Sequence, residues 1–439
     1  REIRTIRYKV QVLPTRPRDA EAPAGTGPHE KGYWDPFKER KLDHATTDGE
    51  TLTHLLKASL GTGILAMPAA FKNAGMITGI FATIIVSLVC THCSYVLVKC
   101  AHSLYHRKKV TTMTFADVGE VAFANGPPWG RKFSKWARFS ILFGLFLAYF
   151  GTCSVYTVII AKNFKIVSIT LTVLLVPLIL LSWIPNLKYL APISMLANFL
   201  MAGGLGITFW YLVWDLPSTL PDFFSTTIFA IEAIGVIMPL ENAMETPQHF
   251  VGICGVLNRG MSGVTMIYIL LGFLGFLKFG DAAQDNITNN LDITQICQYL
   301  RSNCCFCTFG LQFFVCLEIG WDAVKGYFPK RQRFYNYIVR TVLVSGAVFL
   351  AIAVPTIGPF INLIGALCFS LLGLIIPVFI EFVTYWDVGF GSFNWIVWKN
   401  ILVLIFGVLA LFFGSATSIK GIAELYAPQN AAADGFNRL

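Results

Sequence analysis

The sequence predicts an all-α, polytopic membrane protein, and three observations carry that prediction. Of its 439 residues, 55% are hydrophobic and only 13% are charged, against a charged share of about 25% in ordinary soluble domains. Apolar runs long enough to cross a bilayer, about 20 residues each, recur along the chain and cover over half of it. Lysine and arginine gather in a few of the polar connections, as they do on the cytosolic side of membrane proteins.

Residues 1–50 are polar, charged and rich in proline and glycine. They read as a disordered cytosolic tail, since such a composition cannot bury enough apolar surface to offset its ordering entropy. A membrane domain follows over 51–425, and a short tail over 426–439. Within that domain eleven spans are expected, at 52–71, 76–104, 135–163, 167–184, 189–214, 223–245, 259–280, 304–325, 336–356, 358–385 and 396–420. The eighth span carries Gln312, Glu318 and Asp322, which lower its hydropathy.

Orientation follows from the cations. Arg1 to Lys41, the Arg107–Arg138 connection and the Lys325–Arg333 connection are the basic segments, and an inside N-terminus places all three in the cytosol. An odd number of spans then leaves the C-terminus outside or in a lumen. The sequon at Asn286, read as the glycosylation site, falls on that same non-cytosolic side. The net charge of +9 is thereby accounted for by topology and by attraction to the anionic inner leaflet, and no nucleic-acid motif accompanies it. Most of the eleven cysteines lie inside spans, where small apolar packing is the expected role. Cys304, Cys305 and Cys307 lack zinc-site spacing, so no metal or other cofactor is expected.

Two spans are interrupted. The first reads Ser59-Leu60-Gly61-Thr62-Gly63-Ile64-Leu65-Ala66-Met67-Pro68, and the sixth reads Ile231-Glu232-Ala233-Ile234-Gly235-Val236-Ile237-Met238-Pro239-Leu240-Glu241-Asn242. Glycine and proline at mid-depth break both helices, and breaks five spans apart suggest two five-helix halves of inverted topology. Unwound backbone survives in hydrocarbon only where protein buries it or it lines a cavity. The helix restarting after Gly63 turns its positive end toward the break and favours an anion such as a carboxylate. Freed carbonyls near Gly235 suit an ammonium group. Close helix packing is the other reading of a Gly-x-Gly, and the pairing of two breaks favours a binding site.

The residues Thr53-His54-Leu55-Leu56-Lys57 with Gly61-Thr62-Gly63, then Lys72-Asn73-Ala74-Gly75, Thr91-His92-Cys93, Gly151-Thr152-Cys153-Ser154-Val155-Tyr156, Asn186-Leu187-Lys188-Tyr189-Leu190-Ala191-Pro192 and Pro247-Gln248-His249-Phe250 resemble the proton-coupled amino acid transporters of the amino acid/auxin permease superfamily. That resemblance spans nearly the whole membrane part. It implies eleven helices in the leucine-transporter-type 5+5 inverted repeat, with helices 1 and 6 broken. It implies symport of small neutral amino acids such as alanine, glycine or proline with protons, at the plasma membrane or the lysosome. The resemblance also implies an outer disulfide, and here the third-to-fourth loop holds no cysteine to pair with Cys297.

Gly61, Thr62, Gly63, Ile64, Glu232 and Gly235 are the candidate substrate-binding residues at the two breaks, with Tyr149, Tyr156 and Phe313 as candidate pocket walls. The resemblance assigns proton coupling to His54, and its place about two turns, roughly 10 Å, before Gly61 puts it on the same face as the break and pointing inward. Glu232 is the second proton-coupling candidate, because an ionisable group at mid-membrane is expensive and functional by default. The competing reading of each is a bundle residue satisfied by hydrogen bonds. His92 reads as structural, Glu241 and Glu245 as gate or salt-bridge groups, and Glu318, Asp322 and Glu381 as interfacial. The partners expected are the amino acid, protons, membrane lipids and a signalling partner of the N-terminal tail. Sodium coupling, exchange, or amino-acid sensing by a transporter-like fold stay open as alternatives. A seven-helix receptor conflicts with the span count, and no nucleophile-base pair points to an enzyme.

Overall fold

In hydrocarbon a chain can satisfy its backbone only by helices or a closed barrel, and this chain takes the first course. The computed structural model describes residues 34–40, 45–59, 62–162, 167–183, 187–213, 234–284, 287, 290, 295–328, 331–353 and 358–426. The chain divides into two units, Arg1–Asp35 and Pro36–Leu439, and the second holds the helices.

In order these are α1 (Asp48–Ser59), a 3₁₀ turn (Thr62–Ala66), α2 (Met67–Lys72), α3 (Met76–Lys108), α4 (Phe115–Asn125), α5 (Pro128–Arg131), α6 (Ser134–Lys162), α7 (Val167–Ser182) and α8 (Leu187–Val213). After them come α9 (Ile234–Ala243), α10 (Val256–Phe279), α11 (Gln295–Val324), α12 (Gln332–Ala353), α13 (Gly358–Ile364), an eleven-residue π-helical stretch (Gly365–Ile375), α14 (Ile376–Thr384) and α15 (Trp395–Tyr426). Among the described residues, six helices are long and apolar enough to cross a membrane: Met76–Lys108, Ser134–Ala161, Val256–Ala282, Gln332–Ile352, Ile361–Thr384 and Trp395–Ala423.

Three expectations need revision. The first helix starts at Asp48, inside the stretch expected to be a disordered tail, and its N-terminus is fixed by Thr47 and Glu50, which bond each other's backbone amides. Helix α11 begins at Gln295, so Cys297 is helical rather than in an outer loop. The connection after α3 is itself helical over α4 and α5.

Helix α2 is seated by small neighbours. A Cβ added to Gly272 of α10 would stand 2.5 Å from the Phe71 ring, and one on Gly275 would stand 2.4 Å from Pro68. Both glycines let the resumed helix lie against α10 at close range. At the periphery, α15 packs on α13 and the π-helical stretch, while Trp395, Trp398, Leu402, Phe412 and Phe413 face outward, as a lipid-contacting helix requires.

Helix α4 opens with a capping box: the Thr114 hydroxyl accepts from the Asp117 amide, and the Asp117 carboxylate accepts from the Thr114 amide. The same carboxylate pairs with Arg138 of α6, which also bonds Glu120 at 2.9 Å. Burial alone raises the Asp117 carboxyl, but hydrogen bonds from Thr114 and the Arg138 guanidinium outweigh it and hold the group below the usual carboxylate range. Thr114→Ala is expected to cost about 1 kcal/mol, read as a lower thermal midpoint of the purified protein. Asp117→Asn is destabilising at neutral pH, and its deficit closes as pH falls through the depressed Asp117 pKa, because the parent carboxyl is then neutral too.

Candidate functional site

The break in the first span leaves α1 ending at Ser59 and the 3₁₀ turn beginning at Thr62. A helix end inside the bundle carries orphan carbonyls that need donors. Tyr268 of α10 supplies one, its hydroxyl donating to the Ser59 carbonyl oxygen, and the ring is wholly buried. Gly63 and Ile64 follow in the buried turn. Gly61 lies outside the described residues, as does the Thr62 side chain.

The described part of the sixth span opens at Ile234 and is one helix through Gly235 and Pro239 to Ala243, so the break expected at those residues is not found among the described residues. Tyr149 of α6 reaches over Gly235. A Cβ at Gly235 would stand 2.5 Å from the Tyr149 Oη and 3.3 Å from Leu145. The structure thus brings together Gly235 and Tyr149, two candidates from different halves of the chain. Tyr156, two turns further along α6, is buried on the same stripe, and Thr152 between them ends in a buried Oγ1 with no hydrogen-bond partner among the described residues. Ser59 Oγ at the α1 terminus is a second such atom. Phe313 of α11 is buried, stacked on Phe309 at 5.0 Å and tilted against Phe150 of α6 at 6.4 Å. Glu232 and Asn286 lie outside the described residues.

The His54 side chain is exposed, whereas Thr51, Leu55 and Ser59 form the buried stripe of α1. The expected inward orientation is therefore not the one found. Glu50, one turn earlier, acts on it electrostatically, and the Glu50 carboxyl is held below its ordinary range first by the Thr47 amide and then by the Thr47 hydroxyl.

Glu241, at the far end of α9, is fully buried and shared by three partners. Arg40 Nη2 donates to its Oε1 at 3.2 Å, His102 Nε2 lies 3.0 Å from the same oxygen, and the Tyr105 hydroxyl donates to Oε2 at 2.8 Å. Arg40 also donates to the Glu241 carbonyl at 3.0 Å and to the Thr111 carbonyl at 2.6 Å. Phe37 packs edge-on to His102 and Tyr105. Further along, Thr46 exchanges backbone bonds with Ala243 and Glu245, and His249 meets Asp48 at 3.0 Å. Residues 36–40 and 45–48, called the strap below, are thus fastened across the end of the α3–α9 pair. The sequence offers Glu241 as a gate or salt-bridge group, and the structure shows the salt bridge; its partner Arg40 is not legible in the sequence, where it is one cation among many in the tail.

Glu381 departs from expectation as well. It was read as interfacial, but it is 3% exposed and paired with Lys399 of α15 at 2.7 Å.

These features define a helical membrane protein with a broken first span. The solved structure of Mhp1 in its inward-facing conformation overlays with a TM-score of 0.54 at 10% identity, covering 89% of this chain and 93% of that one. A manganese transporter of Eremococcus coleocola overlays with a TM-score of 0.51 at 12% identity, covering 88% and 89%. Both likenesses concern the fold alone. The family model for transmembrane amino acid transporter proteins matches residues 44–420, and the chain belongs to that family of transporters, not enzymes. Among curated relatives, the proton-coupled amino acid transporter-like protein pathetic of Drosophila melanogaster is 57% identical, with 96% of this chain and 93% of the relative covered. The amino acid transporter ANT1 of Arabidopsis thaliana is 25% identical over 85% of this chain and 92% of its own length.

Removing one partner of a buried charge pair costs about 3–5 kcal/mol because the other is left uncompensated. Arg40→Ala and Glu241→Gln should each raise hydrogen exchange over 36–48 and 241–246, and the double variant should exceed the larger single effect only slightly. Additive effects would show that the two residues do not act as one unit.

Proposed function

We propose that this protein is a secondary active transporter that carries small neutral amino acids, of the alanine, glycine and proline type, by proton-coupled symport. The observation that carries this reading is the 57% identity to a relative named as proton-coupled, together with the amino acid transporter family match over nearly the whole membrane domain.

The geometry supports the substrate class. With the Tyr149 hydroxyl lying over Gly235, the space beside the break suits a short side chain. The helical stretch Gly63–Lys72 turns its positive end to the break, where an α-carboxylate binds favourably. The Gly235 carbonyl, whose helical partner position is Pro239 with no N–H, would receive the ammonium group. In this reading the membrane domain is a 5+5 inverted repeat of eleven spans with an inside N-terminus. The strap at Arg40 then closes the cytosolic mouth, and Asn286 carries a lumenal or extracellular glycan.

His54 and Glu232 are the proposed proton carriers. His54 is exposed on α1, and imidazole is the side-chain type whose ordinary titration range suits proton exchange. Glu232 is the second carrier in this reading because an ionisable residue within a membrane span is a functional candidate by default. The membrane concerned is the plasma membrane or the lysosomal membrane, and the tail ahead of the strap is the segment open to a signalling partner.

The test is uptake of labelled alanine, glycine and proline into proteoliposomes with an inward proton gradient and no sodium. Accumulation abolished by a protonophore is expected, and accumulation that requires sodium would overturn the proton reading. His54→Ala and Glu232→Gln should each reduce gradient-driven uptake to background at equal reconstitution. Unchanged pH-dependent uptake in both would remove them from the coupling path. Gly235→Val, which drives a side chain into the Tyr149 hydroxyl, should cut uptake of all three substrates at least about tenfold, the effect of about 1.4 kcal/mol. Full activity in that variant would place the substrate elsewhere.

A further inference from the structure

A groove of about 590 Å³ lies away from the break, between the end of α7 and the first half of α12. Trp183, Phe334, Tyr337, Ile338, Thr341 and Val342 line it. The α12 members recur three and four residues apart, so they form one stripe along that helix. Phe334 and Val342, 60% and 63% exposed, stand at the two ends of the stripe. The groove therefore opens on the outer surface of the bundle and not into its core.

Its walls are fixed by bonds within the protein. The Trp183 indole N–H donates to the Thr341 hydroxyl at 3.0 Å, and its ring meets Tyr337 edge-on at 5.7 Å. The Thr341 hydroxyl donates in turn to the Tyr337 carbonyl at 2.9 Å. On the buried side of α12, Arg340 donates to the Ser182 carbonyl at 2.6 Å and to Asn336 Oδ1 at 2.7 Å, with its guanidinium over the Phe314 ring of α11. Ser182 is the last residue of α7, so this bond satisfies an orphan carbonyl at a helix end and ties α7 to α12. The Trp183 and Thr341 polar groups are thus already bonded, and an occupant meets apolar surface.

One end of the groove is basic. Arg331 precedes α12, its carbonyl accepting from the Phe334 amide at 3.0 Å. Arg333 stands four residues before Tyr337, one turn away on the same side of the helix, and helical side chains lean toward the N-terminus. Both arginines are exposed, and neither has a carboxylate partner among the described residues. No aspartate or glutamate occurs over 121–214 or over 323–380, so neither α7 nor α12 carries an opposing charge. Of the carboxylates on α11, Asp322 is paired with Lys325 at 2.7 Å and Glu318 acts on Arg340.

We propose that this groove binds an anionic glycerophospholipid, with an acyl chain along Ile338 and Val342 and the headgroup against Arg331 and Arg333. Tryptophan and tyrosine at the end of a span mark the membrane–water interface, which is the depth at which a headgroup joins its chains. Unpaired cations at that depth attract anionic lipid. A zwitterionic lipid has the same phosphate, but its own ammonium cancels the charge, so the two arginines select for net negative headgroups. A chain lying between Trp183 and Ile338 touches both helices and braces the junction made by Arg340 and Ser182. In the orientation proposed above, the site faces the cytosolic leaflet. It shares no residue with the break, so the proposal does not depend on the transport reading.

The experiment is native mass spectrometry of the full chain in detergent, titrated with dioleoyl phosphatidylserine or dioleoyl phosphatidylcholine. The parent should retain phosphatidylserine in preference to phosphatidylcholine. Arg331→Gln and Arg333→Gln should each weaken phosphatidylserine about fivefold, the effect of about 1 kcal/mol per cation at an anionic surface, and leave phosphatidylcholine unchanged. Arg331→Lys with Arg333→Lys, which keeps both charges and controls for folding, should retain the preference. Ile338→Trp, which fills the groove, should release both lipids. Equal retention of the two lipids by the parent, or undiminished preference for phosphatidylserine in the double glutamine variant, would overturn the proposal. Displacement by glycerophosphoserine, the headgroup without chains, would make the arginines a free-anion site and overturn it too. A lipid-free dimer that Ile338→Trp abolishes would assign the groove to a second copy of the chain instead.

Discussion

The constraint on which this structure depends is that every backbone amide and carbonyl within the membrane must find a partner inside the protein. An unbroken helix meets it automatically. The first span does not, because it stops at Ser59 and resumes as a 3₁₀ turn at Thr62. The consequences are visible around it. Tyr268 gives its hydroxyl to the Ser59 carbonyl, and Phe71 and Pro68 press into the space left by Gly272 and Gly275. Specific groups on α10 thus satisfy and pack the two sides of the break.

The sequence was most informative where chemistry and hydropathy coincide. The Gly61–Gly63 interruption coincides with the end of α1 at Ser59, whereas Gly235 and Pro239 of the sixth span lie inside the continuous helix α9, where Tyr149 approaches Gly235. Three other features could not be read this way. Tyr268 sits in an apolar helix, where a lone tyrosine reads as packing until its carbonyl partner is known. Arg40 is hidden among the many cations of the tail, and only its bonds to Glu241 and Thr111 set it apart. Glu381 looked interfacial because it stands at the end of a span. Its partner lies 18 residues away, beyond the turn that reverses the chain.

The basic excess also has more than one cause. Positive charge at one end of a membrane bundle is expected from topology alone. Here part of it is used structurally. Arg40 closes on a fully buried Glu241, Arg138 ties α6 to Asp117 and Glu120, and Lys399 ties α15 to Glu381. In each case a carboxylate that could not otherwise be buried or half-buried is balanced by a cation from another element. Counting charges gives the orientation; which of them are paired gives the joints.

Two of those joints meet on the same helix. His102 and Tyr105 of α3 bond Glu241 of α9, and His92 and Lys99 of α3 face the Glu381–Lys399 pair. Helix α3 runs unbroken for 33 residues, so no kink separates the two contacts. Helix α3 also packs on α14, which carries Glu381, so the anchor of the strap and the joint to α15 rest on one rigid element. A change in the position of α3 would therefore act on both.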